Sequence, residues 1–140
     1  MSELPTVGRQ LLSLVKPSGE LELSLQDTEV QVPGENEVLV KVEASPINPS
    51  DLGMLLAMAD VSKATQSGSD GSPIVNAPIG EAVMAAMAAR VGHPMPVGNE
   101  GAGVVIATGS SEEAKALMGK TVAVLGGAMY SEYRLSLIHI

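Results

Sequence analysis

The sequence contains no cysteine, no tryptophan and no phenylalanine, and only two tyrosines. Without cysteine there is neither a disulfide nor a thiolate metal site, which fits a reducing compartment. A cytoplasmic location is the expectation. Without large aromatics the core has to be built from Val, Leu, Ile, Ala and eight Met, and Met fills gaps well but specifies shape less sharply. Basic residues are scarce too: eight Lys and Arg against sixteen Asp and Glu give a formal charge of −8. Binding to a phosphate backbone needs clustered cations, so no nucleic-acid partner is expected. Long apolar runs are also missing. The longest, residues 82–89, is far too short to cross a bilayer, and no membrane association is expected. The opening MSELPTVGRQ lacks the charged-then-apolar layout of a signal peptide.

What is present is globular in character. The 140 residues suit one domain, with 45% hydrophobic and 17% charged residues. Residues 11–15 and 21–25 are apolar-rich runs joined by Lys16-Pro17-Ser18-Gly19-Glu20. The alternation in LELSL predicts a β-hairpin there. VPGENE, residues 32–37, predicts a turn, and VLVKVEA, residues 38–44, a strand that Pro46 and Pro49 bring to an end. From 59 to 78 the composition shifts to small polar residues, and QSGSDGSP predicts a mobile surface loop. Residues 81–90 predict a helix, with an acid at the start, Arg90 at the end and Gly92 just beyond. Val83, Met84 and Met87 share one face of it, a core stripe rather than a cofactor contact. Further strands are predicted over 102–108, 122–125 and 132–135. A short helix lies between the first two, with Ser110 as N-cap, Glu113 as its capping-box partner and Gly119 at its end. No internal repeat is present. The class is mainly β, a barrel or sandwich with short helices.

The chemistry-bearing segments are few. PVGNEGAGVV places Gly98, Gly101 and Gly103 in a G-x-x-G-x-G arrangement. A dinucleotide fingerprint needs a strand before the glycines and a helix N-terminus after them. Here prolines precede and Val104-Val105-Ile106 follows, so the glycines are read as an entry into a strand. The only histidines are His93 and His139, which with no cysteine leaves no zinc-type ligand spacing. Asp51 and Glu100 are the carboxylates that could reach a shared site. No G-x-S-x-G elbow is present. PINPSDLG, residues 46–53, is more suggestive, because two prolines flank Asn48 and stiffen the turn that carries its amide. Such an amide can hydrogen-bond a substrate or cofactor carbonyl. Asp51 reads as the N-cap of a helix over 52–59.

Three ordered stretches, EVLVKVEASPINPSDLG, PVGNEGAGVVIATGS and LMGKTVAVLGGAMYSEYRL, together resemble one family. They are similar to the N-terminal GroES-like domain of medium-chain dehydrogenases/reductases, in the zinc-independent branch of quinone oxidoreductases and enoyl-thioester reductases. The resemblance implies a partly open GroES-like β-barrel over residues 1–135, with an expanded region at 59–95. It also implies an atypical tail at 136–140 and a Rossmann cofactor domain missing from this sequence. Zinc-dependent members carry Gly-His-Glu where this chain reads Gly98-Asn99-Glu100, and Cys where it reads Asn48. Carboxamides are poor zinc donors, so the resemblance implies no catalytic zinc. It implies hydride transfer from NADPH or NADH to a quinone or an activated C=C bond of a small-molecule substrate. Carried over by position, Asn48 and Tyr130 become catalytic residues, and Asn48 and Asn99 cofactor contacts. Asp51 and Glu100 become supporting acids. No tyrosine occurs in residues 52–62, where enoyl reductases place a proton donor. The whole protein is expected to be a homodimer, and these residues alone to be inactive. The competing expectation is a non-catalytic GroES-like binding or structural module.

Overall fold

The structure, a computed structural model, describes residues 4–138. Among these the strands are β1 (Val7–Lys16), β2 (Glu20–Glu29), β3 (Glu37–Ala44), β4 (Thr65–Ser69), β5 (Ser72–Pro78), β6 (Met95–Pro96), β7 (Glu100–Thr108), β8 (Thr121–Leu125) and β9 (Tyr133–Leu137). The helices are α1 (Pro49–Leu56), α2 (Glu81–Ala86) and α3 (Glu112–Lys115). The chain forms two compact units. Among the described residues, one comprises those up to Gln10, Asp27–Pro46 and those from Gly98; the other comprises Leu11–Gln26 and Ile47–Val97.

The first unit holds a four-stranded antiparallel sheet in the order β8-β7-β3-β9. β3 is central, paired with β7 from Val38↔Thr108 to Ala44↔Ala102 and with β9 from Glu37↔Leu137 to Lys41↔Tyr133. A strand with neighbours on both sides reads as an apolar run, and Val38, Leu39 and Val40 are consecutively buried. An irregularity in register between Leu39 and Val40 accompanies that departure from strict alternation. Val38, Val40, Val105, Ala114, Val124 and Met129 form the core here. Full burial of a Val side chain such as Val40 contributes about 1.5–3 kcal/mol. The glycines of β7 have a specific purpose in this sheet. A Cβ at Gly103 would collide with the carbonyl oxygen of Lys41, and one at Gly101 would lie 2.6 Å from Ser45 Oγ. They allow β7 to approach β3 closely, which sharpens their reading as a strand entry.

The N-cap of α3 is Ser111, not Ser110, and its Oγ accepts the Ala114 N–H at 3.2 Å. The start is set by tertiary pairing: Gly109 donates to Glu37 O at 2.8 Å and Ser111 to Glu35 O at 3.1 Å. The helix begins only after those bonds are made, so Glu113 does not reach the capping-box position. It ends at Lys115, and Gly119 (φ +72) closes the turn that follows.

The second unit holds a five-stranded sheet in the order β4-β5-β2-β1-β6. The expected hairpin of β1 and β2 is present, turned by Gly19 at φ +83 with its N–H donating to Lys16 O. The expected mobile loop is not. QSGSDGSP lies in a second hairpin, with Ser69 opposite Ser72 around Asp70-Gly71. Its small polar residues face solvent along β4, while Ile74 and Val75 of β5 pair with Ser24 and Leu23 of β2. Asp-Gly between two pairing segments is the short-range hairpin signal that the composition masked. The helix expected over 81–90 is also interrupted. α2 stops at Ala86 and a 3₁₀ turn covers Ala88–Arg90. Val91 bridges to Val15, and Gly92 donates to Val15 O at 2.9 Å, so pairing with β1 overrides the helical propensity of the Ala-Met run. Val83, Met84 and Met87 pack on the core of Val15, Leu21, Ala57 and Ile79, as the stripe suggested. No helix among the described residues is long and apolar enough to cross a membrane.

Candidate functional site

Asn48 opens α1. The helix begins at Pro49, whose missing N–H and fixed φ suit the first helical position. Asn48 is the N-cap, with φ −86 and ψ 158. This corrects the expectation that Asp51 caps a helix beginning at Leu52. Asp51 instead occupies the third helical position, where its carboxylate accepts the Asn48 N–H at 2.8 Å and completes a capping box with the Asn48 side chain. Asp51 is only 1% exposed, and its charge sits at the favourable end of the helix dipole. The reciprocal bonds tie Asp51 to the backbone and side chain of Asn48. The capping bond uses the carboxamide oxygen, and the NH2 end carries the donors a carbonyl ligand requires.

Asn99, Glu100 and Tyr130 lie in the other unit. Gly98 is buried at φ +94, and a Cβ there would meet the Tyr130 ring at 2.7 Å. The backbone carbonyls here are engaged by the loop after β8. Gly98 O accepts the Met129 N–H at 3.2 Å, and Asn99 O accepts the N–H groups of Gly126 at 2.9 Å and Gly127 at 3.3 Å. The glycine stretch therefore binds the loop after β8, and a strand rather than a helix follows it. It does not fit a diphosphate. Tyr130 Oη donates to Pro46 O at 3.0 Å, so its phenolic proton is engaged by a carbonyl. Glu100 is exposed at the start of β7. Sequence reasoning missed Ser45, whose hydroxyl donates to Met129 O at 2.9 Å and ties this loop to the end of β3. A serine before a proline carries no signal for that bond.

The structure thus brings Asn48 to Asp51 in one unit, and Tyr130 to the backbone of Gly98 in the other. Asp51 and Glu100, considered as a carboxylate pair, fall in separate units. Among the described residues no three His, Cys, Asp or Glu side chains are grouped to hold a metal ion. His93 is an exposed turn residue, and His139 lies outside the described residues.

Residues 34–135 match the family model of the alcohol dehydrogenase GroES-like domain. The chain belongs to that family. Among solved structures, this GroES-like domain is similar to a protein of Mesorhizobium loti named for an inferred NADPH:quinone reductase activity. The TM-score is 0.57 at 24% identity, covering 97% of this chain and 36% of that one. A Bacillus thuringiensis protein of the same description gives a TM-score of 0.57 at 24% identity, covering 96% and 32%. Both likenesses are of fold, and they bear out the mainly β, GroES-like reading. The domain spans about a third of the length of these two proteins. No curated protein sequence matches it.

Proposed function

We propose that this GroES-like domain serves an NAD(P)H-dependent oxidoreductase that reduces quinones or carbonyl-conjugated C=C bonds without a catalytic zinc. The observation that carries the proposal is the Asn48 carboxamide, fixed at the N-cap of α1 by Asp51. Its NH2 group suits the carbonyl of a nicotinamide amide or of the acceptor, where a preorganised donor stabilises developing negative charge. NADPH or NADH, when bound, supplies the hydride. Asn99 is a second carboxamide of the same chemistry, and Glu100 stays a supporting residue beside it. Tyr130, with its proton engaged at Pro46 O, acts here by holding the Gly98 segment. The donor set does not fit zinc, because neutral carboxamides stand at both positions where zinc-dependent members carry Cys and His. Nor does the glycine stretch fit the diphosphate, so residues elsewhere in the whole protein hold it. The quinone reductase names of the two similar structures support the acceptor class. The whole protein is proposed to be a homodimer acting on a small-molecule substrate.

The test is Asn48→Asp in the whole oxidoreductase. Aspartate caps a helix about as well as asparagine, so stability changes by less than about 0.5 kcal/mol. It removes the N–H donors, and NAD(P)H oxidation with an enone or quinone falls about 100-fold. Chelator leaves the wild-type rate unchanged. Activity abolished by chelation and restored by zinc overturns the proposal.

A further inference from the structure

At the far end of α1, Leu56 and Ala57 pack on the core and Leu56 O accepts the Ala59 N–H at 2.8 Å, but other carbonyls are bonded from outside the helix. Its last turn carries no basic residue, and it ends on two non-glycine residues in left-handed backbone, Ala57 at φ 49 and Met58 at φ 56. The free carbonyls there are taken up by two side chains from distant segments. Ser13 of β1, fully buried, donates its hydroxyl to Leu55 O at 2.9 Å, with Met54 O at 3.2 Å. Arg90 donates through Nη2 to Met54 O at 3.0 Å and to Ser13 Oγ at 3.2 Å. No carboxylate pairs with Arg90 among the described residues. Its counter-charge is the carbonyl end of the helix, where a cation is electrostatically favoured. Its Nε is buried without a partner, a cost accepted to bring Nη2 to the carbonyls.

The placement of Arg90 follows from the interruption of α2. The 3₁₀ turn Ala88–Arg90 and the Val15–Val91 bridge fix the residue beside β1. A continuous helix through residue 90 would point it elsewhere.

We infer that Arg90 and Ser13 are positioning residues for Asn48. They clamp the carboxyl end of α1 while Asp51 locks its amino end, and an eight-residue helix held at both ends presents the Asn48 amide in one orientation. The inference rests on the proposed role of Asn48. It assigns a task to the expanded 59–95 region, which supplies the arginine.

The experiment reads amide hydrogen exchange over α1 in the chain, and turnover in the whole oxidoreductase. Arg90→Met raises exchange of the α1 amides about tenfold while β3 and β7 keep their protection. Arg90→Lys keeps a cation and restores most of that protection; Ser13→Ala raises exchange in the same amides. Unchanged exchange over α1 in Arg90→Met overturns the inference; if that variant does not fold, unchanged exchange in Ser13→Ala overturns it. In turnover, Arg90→Met lowers kcat but adds no further loss in an Asn48→Asp background. Equal losses in both backgrounds mean a merely structural role and also overturn it. A wild-type enzyme inactive toward enones and quinones removes the functional reading, and the exchange result still decides whether the clamp exists.

Discussion

The Tyr130 hydroxyl donates to the carbonyl oxygen of Pro46 at 3.0 Å, and the ring of the same residue covers Gly98. One side chain therefore closes the loop after β8 onto the end of β3 and the entry to β7. Tyr130→Phe keeps the ring and removes the bond. It is expected to cost about 1 kcal/mol in urea denaturation and leave turnover in the whole protein intact. A 100-fold loss of kcat at unchanged stability would identify the phenol as a proton donor instead.

The two ends of the Asn48–Asp51 box should behave as one unit. Asp51→Ala and Asn48→Ala are each expected to destabilise the chain by about 1 kcal/mol, the scale of a lost N-cap. The double variant should cost clearly less than the sum, because each single change already breaks the reciprocal pair. Additive costs in denaturant titrations would mean that the pair does not cooperate.

Glycines of different surroundings predict opposite signs. At Gly103 a methyl group meets the Lys41 carbonyl, so Gly103→Ala is expected to destabilise by about 1–3 kcal/mol. Gly53 sits inside α1 with nothing within 4 Å of a Cβ. Gly53→Ala is expected to stabilise by about 0.4–1 kcal/mol, since the unfolded chain loses freedom and nothing clashes. Thermal melts of the two variants check both signs.

Lys16 makes stability depend on alkaline pH. Its ammonium lies 3.3 Å from Glu20, 3.4 Å from Glu22 and 2.8 Å from Asn76 Oδ1. Burial pulls its pKa down, but the hydrogen bonds and charges of the two glutamates outweigh that and raise it above 10.5. A group raised in the folded state contributes fully below its unfolded value and loses that contribution as pH climbs through the folded one. The unfolding midpoint should therefore fall as pH passes above 10.5, and Lys16→Met should flatten that part of the fall. An equally steep fall in the variant assigns it to other groups.

Much of this fold was legible because its elements obey local rules. LELSL alternates and VLVKVEA opens on three consecutive apolar residues, and both are strands where the pattern puts them. The hairpin of β4 and β5 was hidden because serine and glycine suggest a loop, whereas pairing with β2 decides. α1 was misplaced by a few residues: Pro49 carries the start signal, and the more familiar capping acid drew the boundary too far along. α3 slipped by one residue because Gly109 and Ser111 are pinned by Glu37 and Glu35, which no local pattern records. The turn of Asn48 and Asp51 carries a signal in its prolines and its spacing. Ser13 and Arg90 carry none, since the carbonyls of α1 that they bond lie 42 and 36 positions away.

The β4–β5 hairpin has a practical consequence. All five residues of β4 are exposed, and a Cβ at Gly71 would touch nothing within 4 Å. Loop tips of this kind accept inserted sequence with little loss of stability. A peptide tag or a fluorescent label spliced between Asp70 and Gly71 would ride on a sheet edge built of small polar residues. It would give a handle on the unit that carries Asn48 without altering either end of α1.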